Sequence, residues 1–252
     1  MKYYLLIACA LFIPAVAAKP LMQLCLEAKD FSPYVLGQNI EKRPTGSIID
    51  NINAAGKHAN LKVQYQRSSW LKCQQNVSQN KSQGLFSMAR TDERAREYQF
   101  PPVAAYLAKA SYPLIVKKGG VFDRDHLVTP LVNKQGLNEL LYRANMRFGL
   151  SAPFGYLSYE SFQQAGLLAD SQLSLERGLQ LVAVDKLDGY IFEREVAQHY
   201  IQKLNLTEQL TITKHNIMEI KLYLPINKVF YQENTQQVEL FWQYLAQAAS
   251  EL

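Results

Sequence analysis

Short apolar runs alternate with stretches of helical periodicity through most of this 252-residue chain, and that rhythm constrains the fold more than any other feature. Leu21 to Leu26 reads as a first strand. Gly46 and Ser47 open a helix that places Ile48, Ile49, Ile52 and Ala55 on one face. Leu61 to Tyr65 alternates as a second strand, and Ser68 or Ser69 caps a helix with Trp70, Cys73 and Val77 on one side. Gly84 to Met88 reads as a short buried strand, and Thr91 caps the turn through Asp92, Glu93 and Arg94. Strand, helix, strand, helix, strand in this order predicts an α/β sheet with parallel strands.

The pattern restarts after an extended segment, Tyr112 to Lys118, that ends at Gly119-Gly120. A helix with Leu137, Leu140, Leu141 and Ala144 on one face is followed by a strand at Arg147 to Leu150 and the turn Ser151-Ala152-Pro153-Phe154-Gly155. Helices near Ser158 to Leu167 and Ser174 to Val184, a strand at Gly189 to Phe192 and a helix from Glu195 to Leu204 complete this second unit. Ile217 to Leu224 is again extended, and Val238 to Ala249 closes the chain as an amphipathic helix carrying Leu240, Phe241, Tyr244 and Leu245. No repeat or low-complexity linker separates the units, so lobes joined by strands are expected.

The N-terminus adds a location. Lys2 precedes the apolar run Tyr3 to Phe12, Pro14 breaks it, and Ala15-Val16-Ala17-Ala18 offers the small residues that a signal peptidase accepts. The run is shorter than the ~20 apolar residues of a spanning helix. A signal peptide over residues 1–18, cleaved after Ala17 or Ala18, is expected, and with it a soluble protein in the periplasm. Leu6-Ile7-Ala8-Cys9 formally matches a lipoprotein box, but Cys9 follows almost no apolar stretch and belongs with the discarded peptide. About 234 residues remain, enough for a real core.

The formal charge of +5 is spread along the chain; the basic stripe that nucleic-acid binding requires is missing. The two cysteines left after cleavage, Cys25 and Cys73, are spaced unlike a zinc or CxxC site and are expected to form one disulfide in an oxidising compartment. It would close a loop of about fifty residues and stabilise the fold by roughly 4 kcal/mol.

Several blocks in this order resemble the bacterial periplasmic solute-binding proteins, in the family that includes the polar amino-acid receptors of ABC transporters. They are Phe31-Ser32-Pro33-Tyr34, Pro44-Thr45-Gly46-Ser47-Ile48-Ile49-Asp50 and Ser69-Trp70-Leu71-Lys72-Cys73. Gly84-Leu85-Phe86-Ser87-Met88 follows, then Arg90-Thr91-Asp92-Glu93-Arg94, Phe100-Pro101 and Leu187-Asp188-Gly189-Tyr190-Ile191-Phe192-Glu193.

The resemblance implies two α/β lobes joined by two crossing strands, with ligand in the cleft between them and closure by hinge motion. Lobe 1 would comprise residues 19–112 plus 218–252, and lobe 2 residues 113–217. It also implies roles. Arg94 would offer a planar fork to a ligand carboxylate, with Ser87 as a further donor. Phe31 and Trp70 would wall the ligand side chain, and Glu193 would meet its amine. The turn Phe154-Gly155-Tyr156 is a second-lobe candidate for backbone amides facing the ligand. Against the family pattern, Ala89 replaces a usual hydroxyl, Arg90 adds a cation, and Pro153 stands where glycine is usual.

Rival functions are weaker. Ser69-Trp70-Leu71-Lys72 spells SxxK, the acylating motif of penicillin-recognising enzymes, without the companion SDN and KTG elements. GxSxG, HExxH and a phosphate loop are absent, and His58, His126, His199 and His215 show no metal-ligand pairing. The expectation is therefore a monomeric receptor for a small carboxylated solute, an amino acid or a relative. It would need no cofactor or metal and catalyse nothing. It would serve an ABC permease, or alternatively a membrane sensor, or be an orphan that keeps the fold alone.

Overall fold

The computed structural model describes residues 18–37 and 43–250; the expected export segment up to Ala17, with Cys9, lies outside them. The first unit opens with β1 (Leu21–Glu27), whose burial alternates at its start and becomes continuous toward its end, as fits a strand covered on both faces. After the loop through Phe31 and Tyr34 comes α1 (Ser47–His58), which buries Ile48, Ile49, Ile52 and Ala55. β2 (Lys62–Ser68) and α2 (Trp70–Ser78) follow. Of the two candidate caps it is Ser69 that accepts from the Lys72 amide, at 3.4 Å.

The expected strand over Gly84 to Met88 is divided into β3 (Gly84–Leu85) and β4 (Met88–Ala89). β3 pairs in parallel with β1, whereas β4 turns away to pair with another sheet; the residues between, Phe86 and Ser87, are thereby delivered to the space between the two sheets. Thr91 caps α3 (Asp92–Glu97) by accepting from the Arg94 amide at 3.2 Å. The first sheet has the order β2-β1-β3.

β5 (Ala108–Lys117) leads out of this unit. A small hairpin, β6 (Val132–Asn133) with β7 (Gly136–Leu137), precedes α4 (Glu139–Asn145). Only part of the apolar face expected here packs: Leu137 and Leu141 are partly buried against the core cluster around Tyr142. Leu140 is 84% exposed, and Tyr142 is the fully buried residue, because its hydroxyl donates to Asp188 Oδ2 at 3.1 Å. The next strand is also shorter than expected: β8 is Leu150–Ser151. The amides of Arg147, Phe148 and Gly149 all donate to Asp188 Oδ2 instead, at 2.9–3.1 Å, so they are not available to a ladder.

α5 (Leu157–Gln164), α6 (Leu175–Ala183), β9 (Gly189–Ile191) and α7 (Arg194–Lys203) follow. Gly178 lets α6 lie directly on β9: a Cβ there would come within 2.2 Å of the Tyr190 ring. The chain returns through β10 (Leu210–Tyr223), then α8 (Lys228–Glu233) and α9 (Thr235–Ser250). The second sheet has the order β4-β10-β5-β9-β8.

Two α/β lobes result, joined by β5 and β10. These run antiparallel along most of their lengths, with register shifts between Ile212 and Met218. Beyond β10 the chain re-enters the first lobe, where Ile226 bridges Gly84 and Gln99. α9 packs on α1, with Phe241 and Trp242 buried in the first-lobe core; the Trp242 indole N–H donates to the Leu224 carbonyl at 3.2 Å, which satisfies its one polar group. Cys25 and Cys73 form the expected disulfide, with Cα atoms 5.4 Å apart, tying β1 to α2. No described helix is long and apolar enough to cross a membrane.

Candidate functional site

The cleft between the lobes holds two adjoining cavities of about 50 and 140 Å³. The ends of β1, α2 and α3 and the Phe86-Ser87 turn line the first from one side; the turn before α5 and the first residues of α5 line it from the other. Tyr112 of β5 and Ile220 and Leu222 of β10 contribute as well, so the strands that join the lobes are part of the site. The second cavity lies between the loop after β1, the starts of α6 and α7, and Phe192.

Arg94 lies at this cleft because α3 begins one turn before it and buries it. Its guanidinium donates to the Ala89 carbonyl at 3.2 Å within the first lobe, and across the cleft to the Gly155 carbonyl at 3.2 Å and to Glu160 Oε1 at 3.3 Å. Trp70, the first residue of α2, also lines the cavity and donates its indole N–H to the same Gly155 carbonyl at 3.1 Å. In the 154–156 turn, the candidate for amides that face a ligand, Gly155 presents its carbonyl to the opposite lobe.

Two hydroxyls face the first cavity without protein partners. Ser158 Oγ, on the first turn of α5, is buried and makes no hydrogen bond. Ser87 lines the cavity from the other lobe and likewise has no side-chain hydrogen bond to another described residue. A buried hydroxyl without a partner, like that of Ser158, is costly, and a ligand oxygen between the lobes would remove that cost.

Aromatic rings divide the two cavities. Phe31 lies 6.2 Å from Phe192 in an edge arrangement, and Tyr156 stacks on Phe192 at 5.9 Å and meets Trp70 edge-on at 6.1 Å. The Tyr156 hydroxyl donates across the cleft to Glu27 Oε2 at 2.6 Å. Burial pushes the Glu27 carboxyl above its ordinary range, against the opposing influence of the Tyr156 hydroxyl and Lys29. Lys29 reaches Glu176 of α6 at 2.7 Å. Burial raises the Glu176 pKa, but that bond and local backbone and Ser174 donors outweigh it and hold the carboxyl below its usual value.

Phe31, Trp70, Ser87 and Arg94 thus lie together on the cleft. Glu193 does not: it lines neither cavity, and its Oε2 caps α7 by accepting from the Val196 amide at 2.9 Å. Burial raises its pKa, and the backbone bonds to Val196 and Glu195 oppose the rise. The acids that face the cleft are Glu27, at the last position of β1, which lines both cavities, and Asp30 and Glu176, which line the second. Arg90 also stays out of the cavities and stacks over Phe100 at 5.8 Å, while Pro153 lines the second cavity. Glu27, Lys29, Ser158 and Glu176 are the residues the sequence pattern did not single out, and Tyr156, expected only for its backbone, contributes its ring and hydroxyl. Only Glu27 had a signal, as the carboxylate that ends an apolar strand just before an aromatic loop. Among the described residues no cluster of His, Cys, Asp and Glu is arranged to hold a metal.

A family model described as bacterial extracellular solute-binding proteins, family 3, matches residues 27–248. No curated protein sequence matches the chain. Solved structures with a similar fold include a histidine kinase sensor domain with similarity to periplasmic binding proteins, at 13% identity and TM-score 0.70 over 93% of this chain and 96% of that one. The amino acid ABC transporter substrate-binding protein AbpA from Streptococcus pneumoniae, bound to L-arginine, is 19% identical with TM-score 0.65 over 90% of each chain. An ancestral amino acid-binding protein, AncCDT-1, a precursor of cyclohexadienyl dehydratase, is 15% identical with TM-score 0.65 over 92% of this chain and 93% of that one. At these identities the likeness is one of fold.

Proposed function

Because this chain belongs to family 3 of the bacterial extracellular solute-binding proteins, we propose that it is a periplasmic receptor holding a small carboxylated solute, an amino acid or a close relative, between its lobes. The observation that carries this reading is the convergence of Arg94, Ser87 and Ser158 on one cavity from opposite lobes. A carboxylate has two oxygens and accepts from several donors at once, and these three side chains are donors. Phe31 and Trp70 wall the remainder of the solute. Residues 1–18 are the export signal, and residues 19–112 with 218–252 form one lobe around 113–217.

Arg94 has two roles in this account. It clasps Gly155 and Glu160 across the cleft, and its planar fork also meets the carboxylate, so closure and recognition share one side chain. Catalysis forms no part of the reading. The hydroxyl of Ser69, the serine of the SxxK sequence, is the cap of α2, and among the described residues no base is bonded to it.

The receptor delivers its solute to an ABC permease and acts as a monomer. A second reading, that it presents its closed form to a membrane sensor, is favoured by the similarity in fold to a histidine kinase sensor domain. A thermal-shift screen of amino acids, dicarboxylates, polyamines and peptidoglycan fragments, followed by calorimetry of any hit, tests the assignment. Arg94→Ala is expected to weaken binding of a carboxylated hit about ten-fold or more. Undiminished affinity would remove Arg94 from the site, and an absence of carboxylated hits would remove the function.

A further inference from the structure

The charges around the second cavity are not balanced. Lys29 is paired with Glu176 at 2.7 Å and Asp30 with Arg67 at 3.1 Å; Arg94, in the first cavity, is paired with Glu160 at 3.3 Å. Glu27 lines both cavities and has no such partner; among the described residues its carboxylate accepts from the Tyr156 hydroxyl alone. Arg67, the nearest cation from β2, bonds the backbone carbonyls of Glu27, Ala28 and Lys29 and leaves the Glu27 carboxylate untouched. The carboxylate is therefore held at the junction of two cavities by one neutral hydrogen-bond donor and by the more distant charge of Lys29, which is bonded to Glu176 instead.

The walls around it are also those that suit a cation. Phe31, Tyr156 and Phe192 line the second cavity, and their rings lie within 6.2 Å of their neighbours. Aromatic faces attract cations electrostatically, and more strongly where water is excluded. A carboxylate largely withdrawn from water carries a desolvation cost that only an opposite charge offsets well.

We infer that Glu27 and the aromatic walls of the second cavity recognise a positively charged side-chain group on the ligand, an ammonium or a guanidinium. The receptor's solute is then a cationic one. This inference rests on the receptor reading above and narrows it.

The test uses the purified protein and calorimetry with L-arginine and L-citrulline, which share a shape and differ in side-chain charge. The wild type is expected to bind L-arginine about ten-fold or more tighter than L-citrulline. Glu27→Gln, which keeps an acceptor for Tyr156, is expected to reduce that preference to about three-fold or less. Equal binding of the two by the wild type, a measurement independent of any variant's folding, would overturn the inference. So would a preference that Glu27→Gln leaves intact.

L-Glutamate, L-leucine and agmatine complete the panel. Binding of L-glutamate or L-leucine without L-arginine would overturn the cation site and leave the carboxylate receptor standing. Agmatine, a guanidinium without a carboxylate, binding as tightly as L-arginine would support the cation site and overturn the carboxylate reading. No binding by any of the panel would overturn both.

Discussion

The Trp70 indole N–H donates to the carbonyl of Gly155 at 3.1 Å, from the first turn of a helix in one lobe to a turn in the other. Gly155 has a positive φ of 79°, and a Cβ there would come 3.2 Å from Leu71 and 3.3 Å from Trp70. Both its conformation and its closeness to α2 require glycine. Gly155→Ala is expected to lower stability by about 1 kcal/mol or more, read from urea unfolding. It should also open the lobes, seen as a larger radius of gyration in small-angle scattering.

Asp188 supports the second lobe from beneath β8. One of its carboxylate oxygens accepts from the amides of Arg147, Phe148 and Gly149 and from the Tyr142 hydroxyl. Asp188→Ala would orphan these buried donors. It is expected to cost about 3 kcal/mol or more of unfolding free energy, and to do so without a ligand present.

Reduction should loosen the first lobe at the cleft. The Cys25–Cys73 disulfide ties β1, which ends at Glu27, to α2, which begins at Trp70. The Cys25→Ala, Cys73→Ala double variant is expected to lose roughly 4 kcal/mol by the chain-entropy estimate. Calorimetric melting with and without reductant checks it: the wild type should lose stability in reductant and the variant should not change.

The pH dependence has a definite sign at Glu27. Its folded pKa is raised by burial, so the folded protein holds that proton more tightly than the unfolded chain does. Stability from this group is fully present below the unfolded value, about 4.3, and is lost as pH rises through the folded value. Glu27→Gln mimics the protonated acid. It is expected to raise the melting temperature of the ligand-free protein at about pH 7 and to change it much less at about pH 4.

Much of the architecture was legible because local signals agreed with it. The apolar face of Ile48, Ile49, Ile52 and Ala55, the caps at Ser69 and Thr91, and the short buried strands all required only local periodicity and capping chemistry. Long-range partners were not legible. Nothing local to 147–149 announces that its amides serve Asp188, about forty residues away, so the apolar pattern predicts a strand where the chain bends. The same limit governs the site. Phe31, Trp70, Ser87 and Arg94 sit beside recognisable strand ends and caps, whereas Ser158 and Glu176 matter only because the lobes bring their helices to the cleft. Glu193 illustrates the converse, since an acid at a helix start satisfies local amides first.

The central claim is that Arg94 meets a ligand carboxylate, and a thermodynamic cycle measures that contact directly. Calorimetry compares the bound solute with its carboxamide, in the wild type and in Arg94→Ala. The account predicts that the wild type prefers the acid by about ten-fold or more and that Arg94→Ala abolishes most of this preference. An Arg94→Ala protein that keeps the full preference for the acid would contradict it.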